Sequence, residues 1–199
     1  MALLCMNSEG AVLDWGALYL RQELGSDIAT AGFAFGLFAG AMALMRFLGD
    51  AVRNRLGAVT TFRISGGVAA AGMLTAGMTS SPLIAIAAFA VCGLGIANMI
   101  PILFSAAGNQ PGVSPGAGVS VVTTMGYSGI LVAPSVIGFV GERTGFSPIF
   151  IAIATVGILG YRQVDLSAKI LMVLVALEYL IVIIIDVAIF GTGGDSEIG

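Results

Sequence analysis

The chain has 199 residues, is 58% hydrophobic and only 10% charged, and carries a net charge of -3 with a mean hydropathy of +1.04. So few charges cannot coat a soluble globule of this size, and the weak negative balance argues against nucleic acid as a partner. The composition implies an integral membrane protein, an all-α, polytopic helix bundle whose first partner is the lipid bilayer. Its 29 glycines suit membrane helices that pack closely. The two cysteines, Cys5 and Cys92, both sit in apolar runs and are expected to be buried small hydrophobes rather than a disulfide or a metal pair. There is no histidine, so any proton relay has to use carboxylates.

A membrane helix needs about 20 mostly apolar residues. The first run is 1–20; it lacks a basic leader region and a clean cleavage site, so it is expected to be a span rather than a signal peptide. A polar turn follows at 21–27, then a second run at 29–48. The stretch 46–63, RFLGDAVRNRLGAVTTFR, comes next and holds four of the eight Lys and Arg residues. It is expected to form a loop on the cytoplasmic side, because translocating several cations is disfavoured. Further runs occupy 58–78, 83–106 and 117–140, with the glycine- and proline-rich 108–116 expected as a loop. The run from 146 ends near 160, about 15 residues or roughly 22 Å of helix, short against a core of about 30 Å. A polar segment, 161–169, leads to a last run at 170–190 and an acidic tail. With the basic stretch inside, six of the eight cations lie on the cytoplasmic side, giving seven spans with the N-terminus in and the C-terminus out. Only Arg21 and Arg143 fall outside, each near an acid.

Three stretches carry a resemblance: EGAVLDWGALY at 9–19, RFLGDAVRNRLG at 46–57, and GYSGILVAPSVIGFVGERTG at 126–145. Through them residues 1–158 resemble the C-terminal six-helix half of a major facilitator superfamily (MFS) transporter, in its sugar or fucose-permease-like branch. The second stretch departs from the fullest form of the family's cytoplasmic motif, with Ala51 where an arginine follows the aspartate. Residues 159–199 resemble instead a loop and helix of the amino acid/polyamine permease superfamily. The expected organisation is thus half of an MFS fold, 1–158, plus one additional span, 159–199; how the two came together is left open. The resemblance implies secondary active transport of a small polar solute, sugar-like and proton-coupled, in a bacterial inner membrane. Alternating access needs two halves around a midplane site, so a second copy or a missing N-terminal half is the implied partner. The alternative is a membrane fragment that does not transport, or a structural or interaction module. Nothing suggests an enzyme: no catalytic triad, metal cluster, phosphate-binding loop or cofactor motif is present.

Candidate substrate- or proton-binding residues are Glu9, Asp14, Trp15, Asn98 and Tyr127. Carboxylates within a span are expensive and suggest function by default. Glu9 and Asp14 are five apart, about 140° around a helix, so they point to different sides. One can face a cavity while the other pairs with a neighbouring helix, and Trp15 is placed to stack on a sugar face. The plainer reading is hydrogen bonding between helices, which also covers Asn98, Thr123, Thr124, Tyr127 and Ser128. Asp50 with Arg46, Arg53 and Arg55 is expected to form a charge network that, by the resemblance, latches one conformation; the plainer reading is a solvated loop that sets orientation. Gly32, Gly36 and Gly40 form a small-residue stripe expected to pack against another helix. Glu178 and Asp186 share a side of the last run and are expected to face protein or water.

Overall fold

A computed structural model describes residues 2–162, with side chains through 159. The expectations for the last span, with Glu178 and Asp186, lie outside the described residues. Within them the protein is all-helical, with seven helices and no strand. They are α1 (Ala2–Gln22), α2 (Ile28–Leu56), α3 (Ala58–Met78), α4 (Pro82–Ile96), α5 (Met99–Gly108), α6 (Pro115–Thr144) and α7 (Ser147–Arg162). Three helical stretches are long and apolar enough to cross a membrane: α2, α4 continued by α5, and α6. The chain is a multi-pass membrane protein.

Two expectations change at the level of the helices. The stretch 46–63 is not a loop. α2 runs on to Leu56 and α3 begins at Ala58, so the connection is the single residue Gly57, at φ 80°. The reason is local. Arg, Ala and Leu are good helix formers, no proline occurs, and the earlier glycine, Gly49, stays helical, whereas Gly57 takes the positive φ the reversal requires. At 29 residues α2 is about 43 Å long, against a hydrocarbon core of about 30 Å, so it is long enough for its charged last turns to reach headgroup level. The second change is in the run 83–106, which breaks at Ala97-Asn98 into α4 and α5. Pro101 lies two residues into α5. It cannot donate a hydrogen bond to Ala97, four residues back, and its ring crowds that carbonyl.

α4 is the centre of the packing, held between α3 on one side and α2 on the other. Glycines make this possible. A Cβ on Gly72 of α3 would lie 2.6 Å from the Ala88 carbonyl oxygen of α4, and one on Gly93 of α4 would lie 2.7 Å from the Phe38 carbonyl oxygen of α2. Gly95 is equally tight against Ser65 and Ala69 of α3. The predicted stripe Gly32, Gly36 and Gly40 does not serve this purpose. A methyl group added at any of the three would meet nothing within 4 Å among the described residues, and α2 packs through Ala31, Ala34, Phe38 and Met42 instead.

At one end of the bundle Tyr19 (α1), Phe89 (α4) and Phe150 (α7) form a triangle of edge-on rings with centroids 5.2 to 6.2 Å apart. All three are 1% exposed, and the Tyr19 hydroxyl donates to the Ala76 carbonyl of α3 at 2.6 Å. Four helices are thereby tied at one point. α1 also runs parallel to α6: Met6 meets Gly126, Asn7 meets Gly129, and Trp15 meets Gly138.

Candidate functional site

Among the described residues, Glu9 and Arg46 form the one ion pair between helices. Arg46 Nη2 lies 3.5 Å from Glu9 Oε1, linking α1 to α2. The pair sits in the wall of a groove of about 580 Å³ between the two helices, with Leu13, Phe35, Met42 and Phe47 as apolar neighbours. The Arg46 side chain is 50% exposed and that of Glu9 21%, so the carboxylate is the more enclosed partner. Away from bulk water such a pair attracts more strongly than at a wet surface, and a proton added to Glu9 would release Arg46.

Asp14 lies on another side of α1, as the 140° separation requires. It borders a cavity of about 20 Å³ with Asn7, Ile130 and Pro134. Pro134, inside α6, cannot donate to the Ile130 carbonyl, and the Asn7 Oδ1 is buried without a partner, so this corner holds spare acceptors. Trp15 is not a free platform for a sugar. Its ring stacks on Phe146, with centroids 5.2 Å apart and planes 21° apart, and its edge lies over Gly138. It is a packing residue where α1, α6 and the start of α7 meet.

Asn98 is buried at 6% exposure, in the break between α4 and α5. Its side chain rests against Gly49 of α2, where a Cβ would collide with it, and its Nδ2 has no hydrogen-bond partner among the described residues. Tyr127 is 56% exposed on the outer side of α6, away from the Glu9–Arg46 groove. Thr123 and Ser128 hydrogen bond within α6, to Val119 and Met125 carbonyls, rather than to another helix. The five predicted residues are therefore not gathered in one cavity.

The charge network also divides. Arg46 leaves it for Glu9. Asp50 and Arg53 approach at 3.8 Å within α2, with Asp50 90% exposed, a contact worth little by itself. Arg55 has no ion-pair partner among the described residues. Outside the spans, Asp27 caps α2, accepting from the Thr30 amide at 2.9 Å and the Thr30 hydroxyl at 2.7 Å. Those two bonds hold its carboxyl below its ordinary value.

Sequence reasoning missed Glu23. Its carboxylate leaves the turn after α1 and accepts from the backbone amides of Phe146 and Ser147 at the start of α7, the latter at 3.2 Å. Ser147 in turn donates its hydroxyl to the Gly77 carbonyl of α3. The available signal was the cap position itself: Phe146 has no side-chain oxygen to offer the first amides of α7, so an acceptor has to come from elsewhere.

Comparison with known proteins adds the following. Residues 2–181 match the family described as Major Facilitator Superfamily. The chain is 37% identical over 147 residues to an uncharacterized MFS-type transporter of Yersinia pestis, covering 74% of this chain and 38% of that protein. It is 36% identical over 162 residues to the membrane protein MosC of Rhizobium meliloti, covering 80% and 39%. An uncharacterized transporter of Sinorhizobium fredii is 32% identical over 134 residues, covering 67% and 36%. The chain thus spans less than two fifths of the length of these curated relatives.

Proposed function

The chain belongs to the major facilitator superfamily, and from that premise we propose that it forms half of a secondary active transporter that moves a small polar solute across a membrane. The solute is sugar-like, following the resemblance of the stretches 9–19 and 126–145, and its movement is coupled to protons. Glu9 carries the proton in this reading. The observation that supports it is the Glu9–Arg46 pair: an intramembrane carboxylate, 21% exposed, in the wall of an open groove and held by one guanidinium. Protonation of Glu9 breaks the pair and frees α1 from α2 at that level, which is the change of partners that alternating access needs. Asp14 lies outside this groove and has a helix-packing role toward α6.

Alternating access requires a second half. Among the described residues two long helices, α2 and α6, have outward faces with nothing packed on them, with Phe33, Phe47 and Leu131 among the exposed side chains. A second copy or a separate N-terminal half covers them in the working assembly. The N-terminus is cytoplasmic, with the arginines of 46–63 on the same side.

The test begins with light scattering in detergent, which separates a discrete dimer from a monomer or aggregate. The protein, with its partner half if it is monomeric, is then reconstituted and given labelled sugars under a pH gradient. Glu9→Gln should abolish proton-driven accumulation while leaving exchange of solute down its own gradient. Accumulation by Glu9→Gln equal to the parent would remove Glu9 from the coupling. Absence of uptake by any assembly would favour a membrane module without transport.

A further inference from the structure

A second groove opens at the basic end of the bundle, between the last turns of α2, the first turns of α3 and the second half of α5. Its volume is about 690 Å³. Arg53 from α2 and Arg63 from α3 both line it, and among the described residues no acidic side chain does. Arg63 has no ion-pair partner among the described residues, and Arg53 has only the long contact to the exposed Asp50. The rest of the lining is largely apolar: Val59, Phe62, Ile102 and Leu103. Val59, 67% exposed, stands at the start of α3 on the headgroup side of Arg63, and on α5 Ile102 and Leu103 lie further from the helix end than the lining Asn109.

We propose that this groove is a binding site for one anionic phospholipid, whose phosphate is held between Arg53 and Arg63 while an acyl chain lies along Phe62 and Leu103. Three observations converge on that occupant. Depth is the first: α2 is longer than the hydrocarbon core is thick, which lets Arg53 reach the headgroups. Charge is the second: guanidiniums from two different helices line one groove with no carboxylate among its described lining, and arginine binds phosphate oxygens with two parallel donors. The lining is the third, since a free anion has no use for the apolar surface beside the cations, whereas an amphiphile fills both parts. Basic pockets between membrane helices on the cytoplasmic side are suited to such headgroups. The site does not depend on whether the chain transports anything.

The test titrates the detergent-solubilised chain with short-chain phosphatidylglycerol, and separately with short-chain phosphatidylcholine, and counts bound lipid by native mass spectrometry. One phosphatidylglycerol should be retained per chain under conditions where phosphatidylcholine is lost. Arg53→Gln and Arg63→Gln should each weaken binding about fivefold, since each cation near an anionic headgroup contributes about that factor. The double substitution to lysine keeps both charges and should retain the lipid, which separates loss of charge from loss of fold. Arg55→Gln is the sharpest control: Arg55 is on the same helix end but does not line the groove. If Arg55→Gln weakened binding as much as Arg53→Gln, the effect would be diffuse surface charge and the site would be refuted. Equal retention of the two lipids, or displacement of phosphatidylglycerol by excess inorganic phosphate, would also overturn it, the latter because it would show a site for free anions.

Discussion

At the scale of single residues, polar contacts decide where α1, α2 and α7 begin and end. Asp27 is the clearest case, because it lies outside the spans and its proton reports the cap directly. Its carboxyl is held below the ordinary value, so the cap is complete at and above that value, about pH 3.9, and is lost as pH falls through the lower folded value. Nuclear magnetic resonance of the Thr30 amide should therefore show a transition with a midpoint below about 3.9, and Asp27→Asn, which keeps an acceptor but cannot titrate, should abolish it. A midpoint at or above the ordinary value would remove the cap from the account. The cap is a short-range feature, with Asp27 three residues before Thr30 at the start of an apolar run, yet the sequence reads there only as a polar turn. Glu23 was not legible, because its partner is 123 positions away and nothing in the local pattern points there. A separation of 37 positions likewise hid the Glu9–Arg46 pair, whose members were each singled out but assigned to different groups.

Among the helices, the question is which small residues let backbones approach. The spacing of Gly32, Gly36 and Gly40 was visible in the sequence, yet spacing alone does not say whether a stripe meets a neighbour. The contacts made by Gly72, Gly93 and Gly95 answer that, and they give opposite expectations for the same kind of substitution. Gly95→Val has no room against Ser65 and Ala69 and should destabilise by about 1–3 kcal/mol, the usual range for overpacking. Gly36→Ala meets open space among the described residues and should be neutral or favourable by up to about 1 kcal/mol through helix propensity. Thermal unfolding in detergent ranks the two, and a Gly36→Ala protein as unstable as Gly95→Val would mean that α2 packs differently. Apolar runs likewise located nearly every helix, while helix ends near charged residues were misjudged. The stretch 46–63 looked like a loop because it is polar, but polarity marks the edge of the bilayer rather than the end of a helix; Gly57 supplies the end.

For the molecule as a whole, orientation is the property most open to direct measurement. Cys5 and Cys92 are 4% and 0% exposed, so a membrane-impermeant thiol reagent should find almost no native target. A cysteine introduced at Ser26 should then be modified from the extracytoplasmic side and one at Asn109 from the cytoplasmic side. Modification of both from the same side would break the proposed topology. Composition was enough to imply a membrane bundle, but not its internal neighbours, since antiparallel and parallel contacts leave the same hydropathy trace. The parallel contact of α1 with α6 has a consequence for biosynthesis. The partners of Trp15 and Glu23 lie at Gly138, Phe146 and Ser147, more than 120 residues downstream. At ordinary rates of synthesis they leave the ribosome on the order of ten seconds after α1 does. During that interval α1 stands in the membrane with Asn7 and the Trp15 indole not yet packed against Gly129, Gly138 and Phe146. α1 is therefore made ahead of the helices it packs on and is among the last to be completed, and a nascent chain stalled before α6 should be held by the insertion machinery rather than released into lipid.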